Sequence, residues 1–273
     1  MSDTQDNYDI AILGGGCTAL NFAMAYAQMQ SDKKVLILEA REHYNHDRNW
    51  SFWLNRDDEF SHRDIIKKTW GSWNFSSEAE IYSHHSNIYE YATIASDDFY
   101  DKAVRLIEND KRQTTVMACN VKDISKNEIY EIQTSQGIFK AQQIIDTRNK
   151  KQSSFEDRAQ YYQIFYGYEI ISETPVFDEK TVGLMQEIKN VEGGMEFIYT
   201  LPFSNSHALI EYTLFTQNYC NPNELEEGLR AYIDQTLGLQ NYKITHKEKA
   251  VLPMGRLKTK QPYASQHYIY SGT

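Results

Sequence analysis

The chain has 273 residues, and its 38 acidic against 28 basic side chains give a formal net charge of −10. This balance argues against a nucleic acid partner and against attachment to anionic lipid through a polybasic patch, because both need a basic surface. The three cysteines are far apart and odd in number, so we expect free thiols in a reducing cytoplasm. No apolar run reaches the roughly 20 residues of a membrane-spanning helix, and the acidic N-terminus predicts no signal peptide.

Residues 8–39 predict a βαβ unit, the first element in chain order. Gly14 allows a tight turn after the first strand, Gly16 lets the backbone approach a pyrophosphate, and Ala19 permits close packing of the helix on the strand. Glu39 ends the second strand 20 residues after Ala19, where a carboxylate accepts hydrogen bonds from a ribose 2′-OH. Together they predict a site for FAD or NAD rather than NADP, because an acidic residue disfavours a 2′-phosphate. A tight turn that binds nothing would explain the glycines but not Glu39.

Polar residues later in the chain are candidates for ligand contact. Residues 43–55 contain two histidines and an aspartate, but their spacing fits no standard metal set. We therefore predict no metal site there, but a loop that wraps a cofactor or substrate. A helix is predicted from Ser96 to Glu108. Asp146 lies near the end of a predicted strand, where a parallel strand delivers residues to a ligand, although an ordinary turn residue explains it equally well.

The chain changes character at the polar stretch 151–160, which we predict to be a crossover between domains. Turn sequences separate the four strand-like runs that follow, Tyr161–Ile171, Thr181–Ile188, Met195–Leu201 and His207–Thr216. These runs predict an antiparallel sheet that carries a substrate surface. We therefore predict an α/β chain with a dinucleotide-binding domain in residues 1–155, completed by part of 245–273, and a substrate-binding sheet in residues 156–244.

An ordered set of motifs resembles the bacterial lycopene β-cyclases, and the resemblance runs through essentially the whole chain. The motifs are Gly14–Ala19, Asn49–Trp53, Ile145–Arg148, Phe165–Glu169, Phe197–Phe203, Ala208–Thr213 and Leu252–Met254. The resemblance implies a Rossmann-like FAD-binding domain of the p-hydroxybenzoate-hydroxylase-like flavoprotein class, joined to an antiparallel β-sheet substrate domain.

The same resemblance implies a redox-neutral reaction in carotenoid biosynthesis, in which the ψ-ends of lycopene close into β-ionone rings. In that family reduced FAD is required, and NAD(P)H serves as its reductant. The expected partner is lycopene or a related linear carotenoid. Such a substrate is insoluble in water, so we expect a cytoplasmic protein that contacts the surface of the inner membrane through exposed aromatic residues around Trp70 to Phe75.

The cyclisation needs an acid, stabilisation of a carbocation and exclusion of water. The resemblance gives the role of the essential glutamate to Glu169, whose apolar neighbours are expected to raise its pKa and make it a better acid. Reduced flavin is the competing candidate for cation stabilisation or proton donation. Glu211 is a second candidate acid, and strand alternation leaves it free to face either a pocket or water. Gly14, Gly16, Ala19, Glu39 and Asp146 are the candidate cofactor residues.

Three features depart from the family pattern. Gln186 follows Met185 where the family has an aspartate, so an acid–base or orienting role at this position would be lost or pass to Glu187. Ala250 replaces a glycine and would fit poorly if the backbone needed a positive φ there. The chain stops just after a predicted strand, at Thr273, so we expect a fragment or a shortened homologue with little activity of its own.

Two alternatives to a cyclase follow from the residues. One is a different FAD-dependent oxidoreductase on the same fold, such as a hydroxylase or a prenyl-chain reductase, which would consume reductant in proportion to product. The other is a non-catalytic dinucleotide-binding homologue, which would bind without turnover.

Overall fold

The computed structural model describes residues 7–148, 160–255, 264–265 and 267–271. These residues divide into two compact units. Unit 1 takes the described residues of Met1–His46, Ser96–Gln152 and Lys260–Thr273, and unit 2 takes those of Asp47–Ala95 and Ser153–Thr259. The predicted crossover at 151–160 lies, except for Gln160, outside the described residues.

Strands make up most of the regular structure. They are β1 (Asn7–Leu13), β2 (Val35–Leu38), β3 (Asn49–Asn55), β4 (Lys68–Trp70), β5 (Ser72–Ser77), β6 (Ile81–His85), β7 (Tyr89–Ala95), β8 (Gln113–Val116), β9 (Val121–Lys126), β10 (Tyr130–Thr134), β11 (Gly137–Asp146), β12 (Tyr161–Ser172), β13 (Thr181–Val191), β14 (Gly194–Pro202), β15 (His207–Thr216), β16 (Tyr242–Met254), β17 (Ala264–Ser265) and β18 (Tyr268–Tyr270). The α-helices are α1 (Cys17–Ala27), α2 (Ser96–Glu108) and α3 (Glu226–Ala231). Short 3₁₀ turns span Arg63–Ile65 and Pro222–Leu225, and a π-helical turn spans Tyr232–Thr236.

Unit 1 is built on an eight-stranded sheet whose central order is β17-β18-β11-β1-β2-β8, with β10 and β9 continuing from β11. β1 runs parallel to both β2 and β11. β2 is buried along its whole length, as expected for a parallel strand that is covered on both faces. The predicted βαβ unit is therefore confirmed, and the carboxyl ends of β1, β2 and β11 meet at one edge of this sheet.

Unit 2 contains a seven-stranded sheet in the order β16-β12-β15-β14-β13-β5-β6 and a separate three-stranded sheet in the order β3-β7-β4. β12, β13, β14, β15 and β16 pair antiparallel, which confirms the predicted antiparallel sheet. The segment 47–95 differs from the predicted division of the chain, because it belongs to unit 2 rather than to the dinucleotide-binding domain. The cause is the pairing of β5 with β13, which joins this segment to the second sheet.

The two faces of the unit 2 sheet carry different residues because side chains alternate along each strand. One face packs against α3 and the π-helical turn, and its buried side chains include Tyr168, Ile170, Ile210, Leu229 and Ile233. The residues between them, such as Phe165 and Glu211, face the other side. This second face carries the candidate active site.

The expected exposed aromatic surface around Trp70 to Phe75 is wrong for Trp70. Trp70 is 2% exposed and packs with Val182, Leu201 and Leu209, while its indole nitrogen donates a hydrogen bond to the carbonyl of Pro202. Among the described residues, no helix has the length and apolar character needed to cross a membrane.

Candidate active site and dinucleotide turn

A cavity of about 460 Å³ lies on the second face of the unit 2 sheet. Its apolar and aromatic lining comes from Trp50, Tyr91, Phe165, Leu184, Met185, Phe197, Tyr199, Leu209, Phe215, Ala250 and Leu252. Its polar lining includes Asn49, Ser51, Glu211 and Glu248. A cavity of this size and composition suits a largely apolar ligand that a few polar groups orient.

Two glutamates meet in this cavity across a glycine. Gly167 on β12 lies directly opposite Glu211 on β15 and directly opposite Glu248 on β16. A Cβ atom on Gly167 would lie 2.9 Å from Glu211 Cγ and 3.4 Å from Glu248 Cγ. The glycine therefore leaves the space in which the two side chains approach each other. Two carboxyl groups so close together and so buried favour a proton on one of the two, because like charges disfavour double ionisation.

Glu211 is the member of the pair whose protonated form its surroundings favour. Burial and the neighbouring charge of Glu248 raise the pKa of Glu211 well above its usual range. Glu248 accepts two hydrogen bonds at Oε2, from the Asn49 backbone nitrogen at 3.0 Å and from Asn49 Nδ2 at 2.9 Å. Two donors at one oxygen suit an ionised carboxylate. The arrangement places a neutral acid beside an anion in an apolar cavity.

Two phenols lie next to the glutamate pair. Tyr199 on β14 is directly opposite Glu211, and its hydroxyl donates to the Tyr91 hydroxyl at 3.0 Å. Burial, followed by the neighbouring Tyr91 and Glu211, raises the pKa of Tyr199 well above its ordinary value. Burial also raises the pKa of Tyr91, so both phenols are neutral at physiological pH, and both line the cavity.

Glu169 has a different environment from the one expected. Its oxygens accept hydrogen bonds from Lys67 Nζ at 3.1 and 3.2 Å, and its Oε1 lies 2.7 Å from His207 Nε2. Burial opposes ionisation, but the His207 hydrogen bond and the Lys67 charge outweigh it and lower the pKa to about 2. The expected rise of its pKa is wrong, because paired cationic and donor groups rather than an apolar wall surround the carboxylate. Its catalytic role stays a prediction.

Two of the departures from the family pattern, Gln186 and Ala250, fit the strands in which they lie. Gln186 Nε2 donates to Asn74 Oδ1 at 3.1 Å, and its Oε1 accepts from Thr200 Oγ1 at 2.9 Å, so this side chain links three strands. Ala250 lies within β16 opposite Phe165 and is not among the residues with a positive φ. Alanine therefore fits there without backbone strain.

The predicted dinucleotide turn forms at the end of β1. Gly14 has a φ of +91°, a conformation that glycine adopts freely. Gly16 is the N-cap of α1 and supplies no side-chain cap, and a Cβ atom added to it would meet no atom of the described residues within 4 Å. A glycine turn that leads into a helix N-terminus in this way is the arrangement that binds a pyrophosphate. Ala19 is fully buried on α1.

Glu39 closes one side of this turn. Its Oε2 accepts from the Gly15 nitrogen at 2.5 Å, and its Oε1 accepts from the backbone nitrogen of Arg41 at 2.8 Å and from Arg41 Nε at 3.1 Å. Burial opposes ionisation, but the bonds to Arg41 and Gly15 prevail and lower the pKa of Glu39. The glutamate therefore braces the glycine turn as an anion, beside a cavity of about 290 Å³ that also touches Thr147 and Arg148.

Asp146 is fully buried at the end of β11. It accepts hydrogen bonds from Arg148 Nε and Nη2, each at 2.9 Å, and from the Tyr268 hydroxyl at 2.6 Å. Burial opposes ionisation, but these partners lower its pKa. The aspartate fixes Arg148, which lines the cavity beside the turn. A direct contact of Asp146 with a cofactor stays a prediction.

Sequence reasoning identified Glu211 as a candidate but missed Glu248, Asn49 and Gly167 as parts of the same site. All three lie inside or next to motifs that carry the family resemblance. The missing information was the register, because only the pairing of β12 with both neighbours places Gly167 between the two glutamates.

Comparisons with known proteins agree with this fold. The family model described as lycopene cyclase protein matches residues 9–267. The structure of a geranylgeranyl bacteriochlorophyll reductase-like protein from Thermoplasma acidophilum aligns with a TM-score of 0.69 and 14% identity, over 97% of this chain and 70% of that one. Halogenase PltM, in complex with phloroglucinol and FAD, aligns with a TM-score of 0.64 and 14% identity, over 96% and 63% of the two chains.

The flavin-dependent monooxygenase PieE, in complex with FAD and substrate, aligns with a TM-score of 0.69 and 10% identity, over 97% of this chain and 52% of that one. The chain therefore spans between about half and about two thirds of the length of these solved structures. The predicted class, a Rossmann-like FAD-binding domain with an antiparallel sheet domain, is confirmed. A comparison with curated proteins found no match.

Proposed function

Since the chain belongs to the lycopene cyclase protein family, we propose that it is an FAD-dependent cyclase that closes the ψ-ends of lycopene, or of a related linear carotenoid, into β-ionone rings. The observation that carries this proposal is the position of Glu211, buried beside Glu248 in an aromatic-lined cavity, where its pKa is raised well above the usual range. A buried carboxylic acid that keeps its proton at neutral pH is what protonation of an unactivated alkene needs.

The reaction follows from the residues of the cavity. Glu211 gives its proton to the terminal alkene of the substrate, which forms a tertiary carbocation. The neighbouring alkene attacks this cation and closes the ring. The faces of Phe165, Phe197 and Tyr199 stabilise the positive charge through their π systems, and the apolar lining keeps out water that would trap it.

The glycine turn of unit 1 fits the pyrophosphate of FAD. The open N-terminus of α1 at Gly16 and the positive φ of Gly14 provide the cradle, and Glu39 holds the turn in place. When bound, reduced FAD would supply negative charge that favours a cationic intermediate. NAD(P)H is the proposed reductant of that flavin.

A water-insoluble polyene must come from a lipid phase, so we propose peripheral contact of this cytoplasmic protein with the inner membrane. The exposed hydrophobic side chains of unit 2 that support it are Trp53, Ile81, Tyr82, Ile88 and Tyr89. Partitioning onto neutral liposomes tests the contact. Protein that stays wholly in the aqueous fraction would exclude it.

A different FAD-dependent oxidoreductase is the second candidate, because the fold is shared with a reductase-like protein and a monooxygenase. NAD(P)H consumption separates the two candidates. A cyclase consumes no reductant in proportion to product, whereas a hydroxylase or reductase consumes one equivalent per event. A homologue that binds a dinucleotide without turnover would form neither a cyclised nor a hydroxylated or reduced product.

The deciding experiment expresses the gene, with any codons that continue its reading frame, in a bacterial host that accumulates lycopene. Pigments are separated by chromatography. The cyclase predicts γ-carotene or β-carotene from the wild type and linear pigment from Glu211→Gln. Glu196→Gln, a half-buried carboxylate of β14 outside the glutamate pair, is the matched control. Unchanged lycopene with folded, flavin-loaded wild type would overturn the proposal.

A further inference from the structure

We propose that Glu211 and Glu248 act as a one-proton dyad, in which Glu211 delivers the proton and Glu248 takes up the proton that ring closure releases. This inference rests on the proposed cyclisation and adds the base that the reaction needs. Glu248 lines the same cavity as Glu211, so both carboxyl groups can reach one substrate end.

The register of the sheet places the side chains of Glu211 and Glu248 next to each other. Glu248, Gly167 and Glu211 occupy one row across β16, β12 and β15. Any side chain at Gly167 would fill the gap, since a Cβ atom there comes within 2.9 Å of Glu211 Cγ. The two glutamates are each 6% exposed, so bulk water competes little for their shared proton.

Hydrogen bonds from Asn49 distinguish Glu248 from Glu211. Its backbone nitrogen and its Nδ2 both donate to the same oxygen of Glu248, Oε2. Glu248 is therefore held as an acceptor, with its other oxygen left for Glu211 or for a ligand. Glu211 has no such donors among the described residues, and burial beside Glu248 favours its protonated form, so the first proton transfer starts from Glu211.

The step balances without a further reactant. The O–H bond of Glu211 breaks, and a C–H bond forms at the terminal alkene. A C–C bond then forms between the cationic carbon and the neighbouring alkene, which leaves a cation in the ring. A C–H bond next to that cation breaks, its electrons form the ring alkene, and its proton goes to Glu248. Transfer of this proton from Glu248 to Glu211 restores the starting pair with no net change in protons or electrons.

Several titratable or charged groups face the pair from the surrounding elements. They are Tyr199 on β14, Tyr91 on β7, His246 on β16, and Asp47 and Arg48 before β3. The ammonium group of Lys249 lies on the other face of the sheet, over the Tyr166 ring and bonded to Asn223 Oδ1. His246 Nε2 lies 3.7 Å from Glu248 Oε2. The alkaline side of the pH profile reports the loss of the Glu211 proton.

The test compares wild type, Glu248→Gln and the control Glu196→Gln in flavin-reduced protein with lycopene in liposomes. We expect Glu248→Gln to lower the cyclisation rate by at least about 100-fold. We also expect its alkaline limb to move to lower pH, because removal of the Glu248 charge lowers the pKa of Glu211. Without its base, the ring cation should also yield ring isomers with the double bond at other positions. A structural role alone would change neither the pH profile nor the products.

Two outcomes separate this inference from the proposed function. If the wild type forms no ring, the proposed function fails. If the wild type cyclises and Glu248→Gln keeps the same products and the same alkaline limb, the dyad is wrong. Glu248→Ala with added formate covers the case in which Glu248→Gln does not fold. The dyad predicts that formate restores β-ring formation, and no recovery in folded protein would overturn it.

Discussion

Lys67 Nζ lies 3.1 Å from one oxygen of Glu169 and 3.2 Å from the other, so a single ammonium group holds both oxygens of a buried carboxylate. His207 adds a third contact, and the ring of Phe203 covers the same ammonium at 3.9 Å. Glu169 is therefore an anion in a structural ion cluster. Glu211 lies on the same face of the sheet, on the neighbouring strand β15, two residues after the position that pairs with Glu169. Its surroundings favour the neutral acid, so the two glutamates have different chemistry.

The ion cluster predicts a pH-dependent stability. The pKa of Glu169 in the folded protein, about 2, is below its ordinary value of 4.5. The cluster therefore stabilises the fold fully above pH 4.5 and loses this contribution as the pH falls towards 2. Glu169→Gln should lower the free energy of unfolding at pH 7 by about 2 kcal/mol, less than a fully buried pair would lose, because Lys67 is partly exposed.

Denaturant unfolding of wild type and Glu169→Gln at several pH values checks this prediction. The difference between the two proteins should shrink as the pH falls from 4.5 to 2. A difference that is constant over this range would show that Glu169 is not stabilised as an anion.

Glu211→Gln should abolish most activity while preserving the fold. Glutamine has nearly the same shape, but it has no acidic proton, so the cyclisation rate should fall by about 10²–10⁴-fold. Pigment chromatography measures the rate, and circular dichroism checks the fold. The cyclisation rate per folded molecule should fall at least about tenfold further in Glu211→Gln than in Glu169→Gln, because only Glu211 is expected to act as the general acid. The reverse order would return the acid role to Glu169.

Gly167→Ala should damage the site without removing a functional group. The new methyl group would lie 2.9 Å from Glu211 Cγ and 3.4 Å from the Ile210 carbonyl oxygen, so Glu211 must move. We expect a loss of about 1–3 kcal/mol in the free energy of unfolding and a large loss of cyclisation. Thr213→Ala is the control, since its buried hydroxyl has no hydrogen-bond partner among the described residues. Equal activity of the two variants would contradict the role given to Gly167.

Gly16→Val should prevent FAD binding while leaving unit 1 folded. The backbone at Gly16 has a φ of −79°, which any residue adopts, and an added Cβ atom meets no atom within 4 Å in the part of the chain that the structure describes. The valine side chain would instead occupy the space in front of the N-terminus of α1. Flavin absorbance after reconstitution and desalting measures binding, and thermal unfolding without flavin measures the fold. If Gly16→Val retained as much flavin as the wild type, the pyrophosphate would not bind at the N-terminus of α1.

The parts of the fold that local patterns determine were predictable from the sequence. The glycine turn, Glu39 and the alternating strands after residue 160 follow from spacing and periodicity, and the structure has them. The placement of 47–95 was not predictable, because it depends on the pairing of β5 with β13, more than 100 residues along the chain. The protonation of Glu169 and Glu211 was not predictable either. It depends on which residues face each carboxyl group across strands, Lys67 and His207 for one and Glu248 for the other.

Glu248 lies on an edge strand, β16, so the contact between Glu248 and Glu211 is sensitive to local opening of the sheet. β16 is the terminal strand of its sheet and pairs only with β12 among the described strands. Edge strands open more readily than central strands, so local fraying of β16 would separate Glu248 from Glu211 while Gly167 and Glu211 stay in the sheet. Amide hydrogen exchange should be faster along β16 than along β15. Proton transfer within the glutamate pair therefore depends on a strand at the edge of the sheet that contains it.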